Sequence, residues 1–181
     1  MQRLDSKGFT LIEVIVVAGI IAILAGILVP LIFKEIDESR ISRASADIRS
    51  ISTAIMVMKK DTGNWPNLDG STVDCNPTIT LLFGAGNMPG DIAAQGYVGS
   101  AGSLFDSYLS EDGSDCYGAK WKGPYLAFVG ADPWGNAYIV NADAFSTTGP
   151  VWIISAGPNG RIETPSTNAT LVGDDVGVRM K

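Results

Sequence analysis

An apolar segment near the N-terminus constrains this chain more than any other feature. Residues 9–33 carry no charged side chain except Glu13. A helix needs about 20 apolar residues to cross the hydrocarbon core of a bilayer, so this segment predicts a membrane-spanning helix. A carboxylate in hydrocarbon costs roughly 2.5–3.5 kcal/mol on insertion scales. We therefore expect Glu13 to have a function and a positively charged partner.

The short polar segment before this helix differs from a secretory signal peptide. A signal peptide is cut after its apolar region, whereas the candidate cut here, between Gly8 and Phe9, precedes it. Cutting there would leave the apolar helix on the mature chain and give Phe9 a free α-amino group, a suitable partner for Glu13. Since Arg3 and Lys7 precede the helix, the positive-inside rule predicts a cytoplasmic N-terminus with the remainder outside the cytoplasm.

The helical pattern continues beyond the apolar segment. Apolar residues recur at spacings of three and four, which is one stripe of a helix: Ile41, Ala44, Ile48, Ile51, Ile55 and Met58. We expect a single helix over about residues 9–60, with an amphipathic C-terminal part whose stripe is covered by the following domain. Gly63 is placed to end it as a left-handed C-cap.

The remainder of the chain predicts a small α+β domain. Residues 67–120 are rich in Gly, Ser, Asp and Asn, and we expect a loop with one short helix there. Turn chemistry at residues 132–136 predicts a hairpin between its flanking apolar runs. A small antiparallel β-sheet would then pack on the helix stripe. The expected strands are 124–129, 137–140 and 151–155.

Cys75 and Cys116 are the two cysteines of the chain, and both lie outside the cytoplasm on this topology. A pair of cysteines in an oxidising compartment most often forms a disulfide. Closing the loop of about 40 residues between them would give about 3–4 kcal/mol in the chain-entropy model. Metal ligation and redox chemistry are the alternatives, but the chain lacks CxxC spacing and histidine.

Composition narrows the function classes. The formal net charge is −6, and loss of residues 1–8 makes it one unit more negative, which argues against a nucleic-acid partner. Without histidine, the commonest general base is absent. The sequence also has no nucleophile motif, P-loop or nucleotide fingerprint. We therefore expect no enzymatic activity; an anchored enzyme is the weakest alternative.

The N-terminal block Lys-Gly-Phe-Thr-Leu-Ile-Glu, residues 7–13, resembles the signature of type IV pilins and pseudopilins. The resemblance implies that prepilin peptidase cuts after Gly8 and methylates Phe9. It also implies that Glu13 pairs with the N-terminus of a neighbouring subunit. Pro30 would mark a stretch that melts locally in the filament. The alternatives are a plain signal anchor with a stray glutamate and a simple kink at Pro30.

Later blocks are similar to the major pseudopilins of type II secretion, in the same order: residues 61–66, 121–126, 132–138 and 155–160, leading to 173–175. Residues 67–120 depart from that pattern. The resemblance implies a type IV pilin-like fold and a homopolymeric helical filament that drives protein export. It also implies an assembly platform with an ATPase, minor pseudopilins, an inner-membrane location and a filament in the periplasm. The alternatives are a type IV pilin or minor pilin at the cell surface, and a membrane-anchored ligand-binding domain.

The C-terminal loop is the densest cluster of oxygen ligands in the β half. Asn159, Asp174 and Asp175 accompany Ser155 and the carbonyls of residues 155–162. Ca²⁺ takes six to eight such oxygens, and the resemblance implies calcium in this loop. Asn159 stands where that family typically has aspartate, so the site would be one charge poorer. The alternative is a solvated acidic loop.

These inferences divide the chain into four parts, one of them with two subregions. They are a cleaved leader (1–8), a membrane and filament-core helix (9–33), its amphipathic continuation (34–62), and an extracytoplasmic domain (63–181) with a variable region (67–120) and a β-sheet with the C-terminal loop (121–181).

Overall fold

The computed structural model describes residues 8–68, 75, 78–97, 102–112 and 116–181. Its elements are helices α1 (Leu11–Thr62) and α2 (Asp106–Leu109), strands β1 (Leu81–Phe83), β2 (Gly102–Leu104), β3 (Ile139–Val140), β4 (Trp152–Ser155) and β5 (Val176–Arg179), and 3₁₀ turns at Gly118–Lys120 and Ala142–Ser146. The predicted α+β class, with a long N-terminal helix and a small sheet, is confirmed. The chain forms two compact units, Met1–Ser39 and Arg40–Lys181, which we describe separately.

The stripe predicted on α1 is the face that packs in the second unit. Six α1 residues belong to the main core cluster: Ala44, Ile48, Ile51, Ala54, Ile55 and Met58. Ile41 is the exception, since 42% of it is exposed. The helix ends as expected, because Gly63 has φ +80° and its N–H donates to the Lys59 carbonyl at 3.0 Å.

The sheet has five strands in the order β2-β1-β3-β4-β5. The pairs β1–β3, β3–β4 and β4–β5 are antiparallel, whereas β2 pairs with β1 in parallel. In register, Phe83 faces Ile139, and Ile139 faces Ile154. Strands β1 and β2 lie in the region that was predicted to be loop. Strand β5 was not predicted either.

The predicted hairpin around residues 132–136 is wrong, although the turn itself is present. The Asp132 carboxylate accepts from the amides of Trp134 and Asn136, at 3.0 and 2.8 Å. Residues 124–129 form no strand, because their amides bond to the α2 region. Tyr125 N donates to the Leu109 carbonyl at 2.7 Å, so the strand-like apolar run packs as irregular chain.

Alternation along the strands buries both faces of the sheet. Leu82, Val140 and Ile153 join the cluster that contains α1. Leu81, Ile139, Trp152 and Ile154 join a second cluster on the other face, together with Tyr97, Ala156 and Ile162. Strands buried on both faces read as continuous apolar runs rather than as alternating ones. The region predicted as loop thus supplies the inner strand β1. It also supplies Tyr97, which helps to cover the face of the sheet opposite α1.

A buried phenol links α1 to the sheet. Tyr138 is 1% exposed, and its hydroxyl donates to Asp47 Oδ2 at 2.9 Å. Burial raises the pKa of the Tyr138 phenol, and the hydrogen bond to Asp47 raises it further. The phenol therefore stays protonated as a donor at physiological pH. Arg43 lies on the solvent side of the same carboxylate, with 3.8 Å between Arg43 Nε and Asp47 Oδ2.

Candidate functional site

Two of the predicted assembly residues, Phe9 and Glu13, lie at the N-terminal end of α1, where Glu13 closes a capping box. Glu13 Oε2 accepts from the Thr10 amide at 2.8 Å and from the Thr10 hydroxyl at 2.7 Å. The Glu13 amide in turn donates to Thr10 Oγ1 at 3.4 Å. In this reciprocal pattern a threonine and a glutamate three residues later satisfy the free amides of the first turn. Within one chain, the carboxylate thus has local partners that the sequence analysis did not identify.

The apolar part of α1 is exposed along its whole length in the single chain. Phe9 is 85% exposed, and every residue from 9 to 33 is exposed. In the described residues, α1 is also the one helix long and apolar enough to cross a membrane. Soluble monomers rarely expose apolar patches larger than a few hundred Å². Such a surface is typical of a region that contacts lipid or other protein subunits.

Small residues and a proline interrupt this apolar surface. Side chains built at Gly19 and Gly26 would meet nothing within 4 Å, so another helix could approach the backbone closely there. Pro30 lies inside α1, which is helical on both sides of it. Gly8 precedes the helix, and the first seven residues, including Arg3 and Lys7, lie outside the described residues.

The predicted disulfide is present. Cys75 and Cys116 are bonded, with 5.7 Å between their Cα atoms and a χ3 angle of −93°. Next to it, the Asp112 carboxylate accepts from the amides of Tyr117 and Gly118, at 3.2 and 3.1 Å. The disulfide therefore joins two distant parts of the variable region, and the Asp112 carboxylate fixes the backbone that follows Cys116.

The C-terminal loop, residues 156–175, connects β4 to β5 and carries the predicted calcium ligands. Asp175 is 7% exposed, and its Oδ2 accepts from the amides of Glu163 and Thr164, at 2.9 and 2.6 Å. Its Oδ1 is buried and has no hydrogen-bond partner in the described structure. Burial raises the pKa of Asp175, against the lowering effect of the bonds from Thr164 and Glu163.

The two carboxylate oxygens of Asp174 differ in the same way, since only one of them accepts a hydrogen bond. Oδ2 accepts from the Asn159 amide at 3.0 Å, while Oδ1 is buried and lacks a partner among the described residues. The Asp174 amide donates to Glu163 Oε2 at 3.1 Å. The Asp174 carbonyl lies directly against Gly157, where φ is +62° and a Cβ would overlap it. The loop therefore closes on itself around these two carboxylates.

The other two predicted ligands already have partners. Asn159 Oδ1 accepts from the Arg161 amide at 2.7 Å. Ser155 Oγ donates to Asp132 Oδ2 at 2.6 Å and accepts from the Gly157 amide at 3.2 Å. Across the described ranges no three acidic, Cys or His side chains gather closely enough to hold a metal. The donors that fit a hard cation are thus two carboxylate oxygens, supplemented by uncharged oxygens of the loop.

Two family models match the chain. The prokaryotic N-terminal methylation motif covers residues 3–29, which include Gly8, Phe9 and Glu13. The type II secretion system protein G model covers residues 107–174, the part with α2, β3, β4 and most of the C-terminal loop.

Curated relatives extend this similarity over nearly the whole chain. Type II secretion system core protein G of Pseudomonas aeruginosa is 28% identical over 175 residues, which is 96% of this chain and 98% of that protein. The chain is thus similar to type II secretion pseudopilins over nearly its whole length. The Escherichia coli core protein G is 28% identical to it over 87% of the chain and 86% of its own length. Toxin coregulated pilin of Vibrio cholerae is 27% identical over 107 residues, 58% of the chain and 46% of that protein. No solved structure is a significant match.

Sequence reasoning missed Thr10 and Glu163 at these sites, and the core residue Tyr97 beside the C-terminal loop. The capping role of Thr10 was readable, because Thr-x-x-Glu before an apolar run is a helix-start signature. Glu163 and Tyr97 gave no comparable signal. Glu163 contacts the Asp174 amide only because the loop folds back, and Tyr97 reaches the second core cluster from a distant segment.

Proposed function

We propose that this chain is a type II secretion pseudopilin that is inserted as a membrane-held precursor, cut between Gly8 and Phe9 by prepilin peptidase, and assembled through its N-terminal helix into a periplasmic pseudopilus that drives protein export. Its role is structural rather than catalytic. The observation that carries the proposal is the exposed apolar face of α1 with Glu13 near its start. In the filament, Glu13 would pair with the methylated Phe9 amine of a neighbouring subunit, and Pro30 would allow local melting of the helix.

Processing is tested by the mass of the protein extracted from membranes. The mature chain should lack residues 1–8 and carry one methyl group on Phe9. Gly8→Val should leave uncut precursor, because a peptidase that approaches the backbone closely tolerates little side chain there. Gly19→Val is the matched control, since a side chain at Gly19 meets nothing within 4 Å and lies beyond the cut. Normal mature protein from Gly8→Val would refute the assigned cut.

The proposed location follows from the charges that flank the helix. With Arg3 and Lys7 before it, the N-terminus would be cytoplasmic and the domain periplasmic, anchored once in the inner membrane. Assembly would require a membrane platform with its ATPase and minor pseudopilins. A cysteine-reactive impermeant label offered to spheroplasts after reduction should reach Cys75 and Cys116. Labelling only after lysis would reverse the orientation.

A surface pilus is the second candidate, favoured by the similarity to toxin coregulated pilin. Both functions use the same processing and the same helix, so mutants in Glu13 do not separate them. Deleting the chromosomal copy of this chain does separate them. Loss of exported proteins from the medium with unchanged surface filaments supports the pseudopilus, and the opposite result supports the pilus.

We further propose that the C-terminal loop binds Ca²⁺. Asp174 and Asp175 would hold the ion with loop carbonyls and the oxygens of Asn159 and Ser155, and the ion would neutralise the two carboxylates. The buried oxygens without partners support this, because a buried polar atom that lacks a partner costs about 1–3 kcal/mol. Oxygen ligands in an irregular loop are the setting that Ca²⁺ accepts and Mg²⁺ accepts poorly.

Calcium binding is tested by the melting temperature of the full-length chain in detergent. Binding to the folded state alone stabilises that state by mass action, so the chain should melt higher in calcium than in chelator. Asp174→Asn and Asp175→Asn should each shrink this difference, because each removes a negative ligand. Asp143→Ala, an exposed acid in another turn, is the control and should leave it unchanged. Equal melting of the unmutated chain in calcium and in chelator would mean that no such site exists.

A further inference from the structure

A segment of the variable region runs beside the C-terminal loop and is bonded to it through the backbone. We call residues 90–97 the brace. The Gly90 amide donates to the Gly160 carbonyl at 2.9 Å, and the Ile162 amide donates back to the Gly90 carbonyl at 3.0 Å. Further along, the Ser166 amide donates to the Gln95 carbonyl at 2.8 Å. These three bonds join the brace to the part of the loop that lies between Asn159 and the acidic pair.

Side chains hold the same two segments together. Tyr97 is 2% exposed and packs in one cluster with Ile162 of the loop. Arg161 Nη1 pairs with Asp91 Oδ2 at 3.3 Å on the outside. Gly96 has φ +80°, and a Cβ built there would lie 2.7 Å from Ser166 Oγ, so a side chain at this position would collide with the Ser166 side chain.

We infer that the brace positions the C-terminal loop, so that the loop between residues 160 and 166 is folded whether or not a cation is bound. A loop as long as the C-terminal loop, residues 156–175, is uncommon without regular structure and needs contacts that order it. The backbone bonds to the brace supply that order here. The part of this inference that concerns calcium rests on the proposed calcium site; the part that concerns the order of the loop does not.

The first test is hydrogen exchange of the full-length chain in detergent and chelator. The amides of Ile162 and Ser166 should exchange slowly, by roughly tenfold or more relative to an unstructured peptide, because their bonds to the brace open only with the surrounding structure. Exchange of these amides at the unstructured rate in chelator, with protection appearing only in calcium, would overturn the inference. The cation would then be what orders the loop.

A matched pair of variants tests the brace itself. Gly96→Ala and Gly63→Ala both place a side chain at φ +80°, but only the first meets a neighbour, Ser166 Oγ. Gly96→Ala should therefore lose protection at residues 160–168, while Gly63→Ala keeps it. Adding Ser166→Ala to Gly96→Ala should restore part of the protection, since it removes the atom that collides. Equal protection in the two glycine variants would contradict a positioning role for the brace.

Hydrogen exchange with added calcium distinguishes this inference from the proposed calcium site. Calcium added to the unmutated chain should slow exchange further at residues 173–175, with little change at Ile162 and Ser166. If calcium changes neither region while chelator-treated protein is protected at residues 160–166, the calcium site fails and the brace stands. If calcium protects both regions from an unprotected start, the calcium site stands and the brace fails.

Discussion

Glu13 has one partner within its own chain and another that assembly would supply. In the single chain Thr10 donates both its amide and its hydroxyl to the same carboxylate oxygen. These bonds satisfy a carboxylate that would otherwise lie unpaired near the membrane core, where it is costly. A charged amine from a neighbouring subunit gives a stronger, charge-assisted bond. Assembly would thus exchange a local neutral pairing for an ionic one.

Glu13→Gln separates these two roles. Glutamine can replace glutamate in a capping box, so the first turn of α1 should remain capped. It carries no charge and cannot form an ion pair with an amine. We therefore expect normal insertion and cutting but a severe loss of filament, measured as sheared filaments from cells that overproduce the chain.

Glu13→Ala is the companion variant, because it removes both the cap and the charge. It should assemble no better than Glu13→Gln. Wild-type filament yield from Glu13→Gln would show that the cap, and not the ion pair, is what assembly needs.

At the scale of elements, α1 is held to the sheet by its apolar stripe and by the hydrogen bond from the buried Tyr138 to Asp47. Tyr138→Phe removes the hydroxyl that donates to Asp47, and we expect the free energy of unfolding to fall by about 1 kcal/mol. Arg43→Gln removes only the exposed partner of the same carboxylate and should be nearly neutral. Chemical denaturation of the full-length chain in detergent measures both. A larger loss for Arg43→Gln than for Tyr138→Phe would contradict this order.

The disulfide is a second tie between elements of the domain. It closes a loop with a sequence separation of 41 residues, and removing a native disulfide typically costs about 2–5 kcal/mol. Replacing both Cys75 and Cys116 by serine should therefore lower the melting temperature clearly, while cutting at Gly8 proceeds normally. Treating the unmutated chain with reductant should give the same melting temperature as the double variant. No change on reduction would mean that the bridge contributes nothing to stability.

The elements that could be predicted are those whose pattern is local. The stripe of α1 repeats at helical spacing, and its end at Gly63 has a specific turn chemistry, so both were predictable. β1 was not, because Leu81 and Leu82 are buried on opposite faces and give no alternation. Residues 124–129 have the composition of a strand, but their amides bond to Leu109, a choice that only tertiary packing decides.

At the scale of the whole molecule, the fold class followed from the sequence and the details of the sites did not. The long apolar helix, the N-terminal methylation motif and the cysteine pair were all readable from residue type and order. The arrangement of Asp174 and Asp175 depends on amides from Asn159, Glu163 and Thr164, which meet only when the loop closes. The brace depends on a pairing between residues about 70 positions apart, for which a single sequence holds no local signal.

With the domain in the periplasm, as proposed, the bond between Cys75 and Cys116 also makes the stability of this subunit depend on the supply of thiol oxidant. The peptidase cut and the membrane helix need no oxidant, so a cell starved of periplasmic oxidase would still accumulate mature, anchored subunits. Their domains would be weakened and open to periplasmic proteases. The supply of subunits for the filament would then fall under reducing growth conditions, even with every assembly factor present.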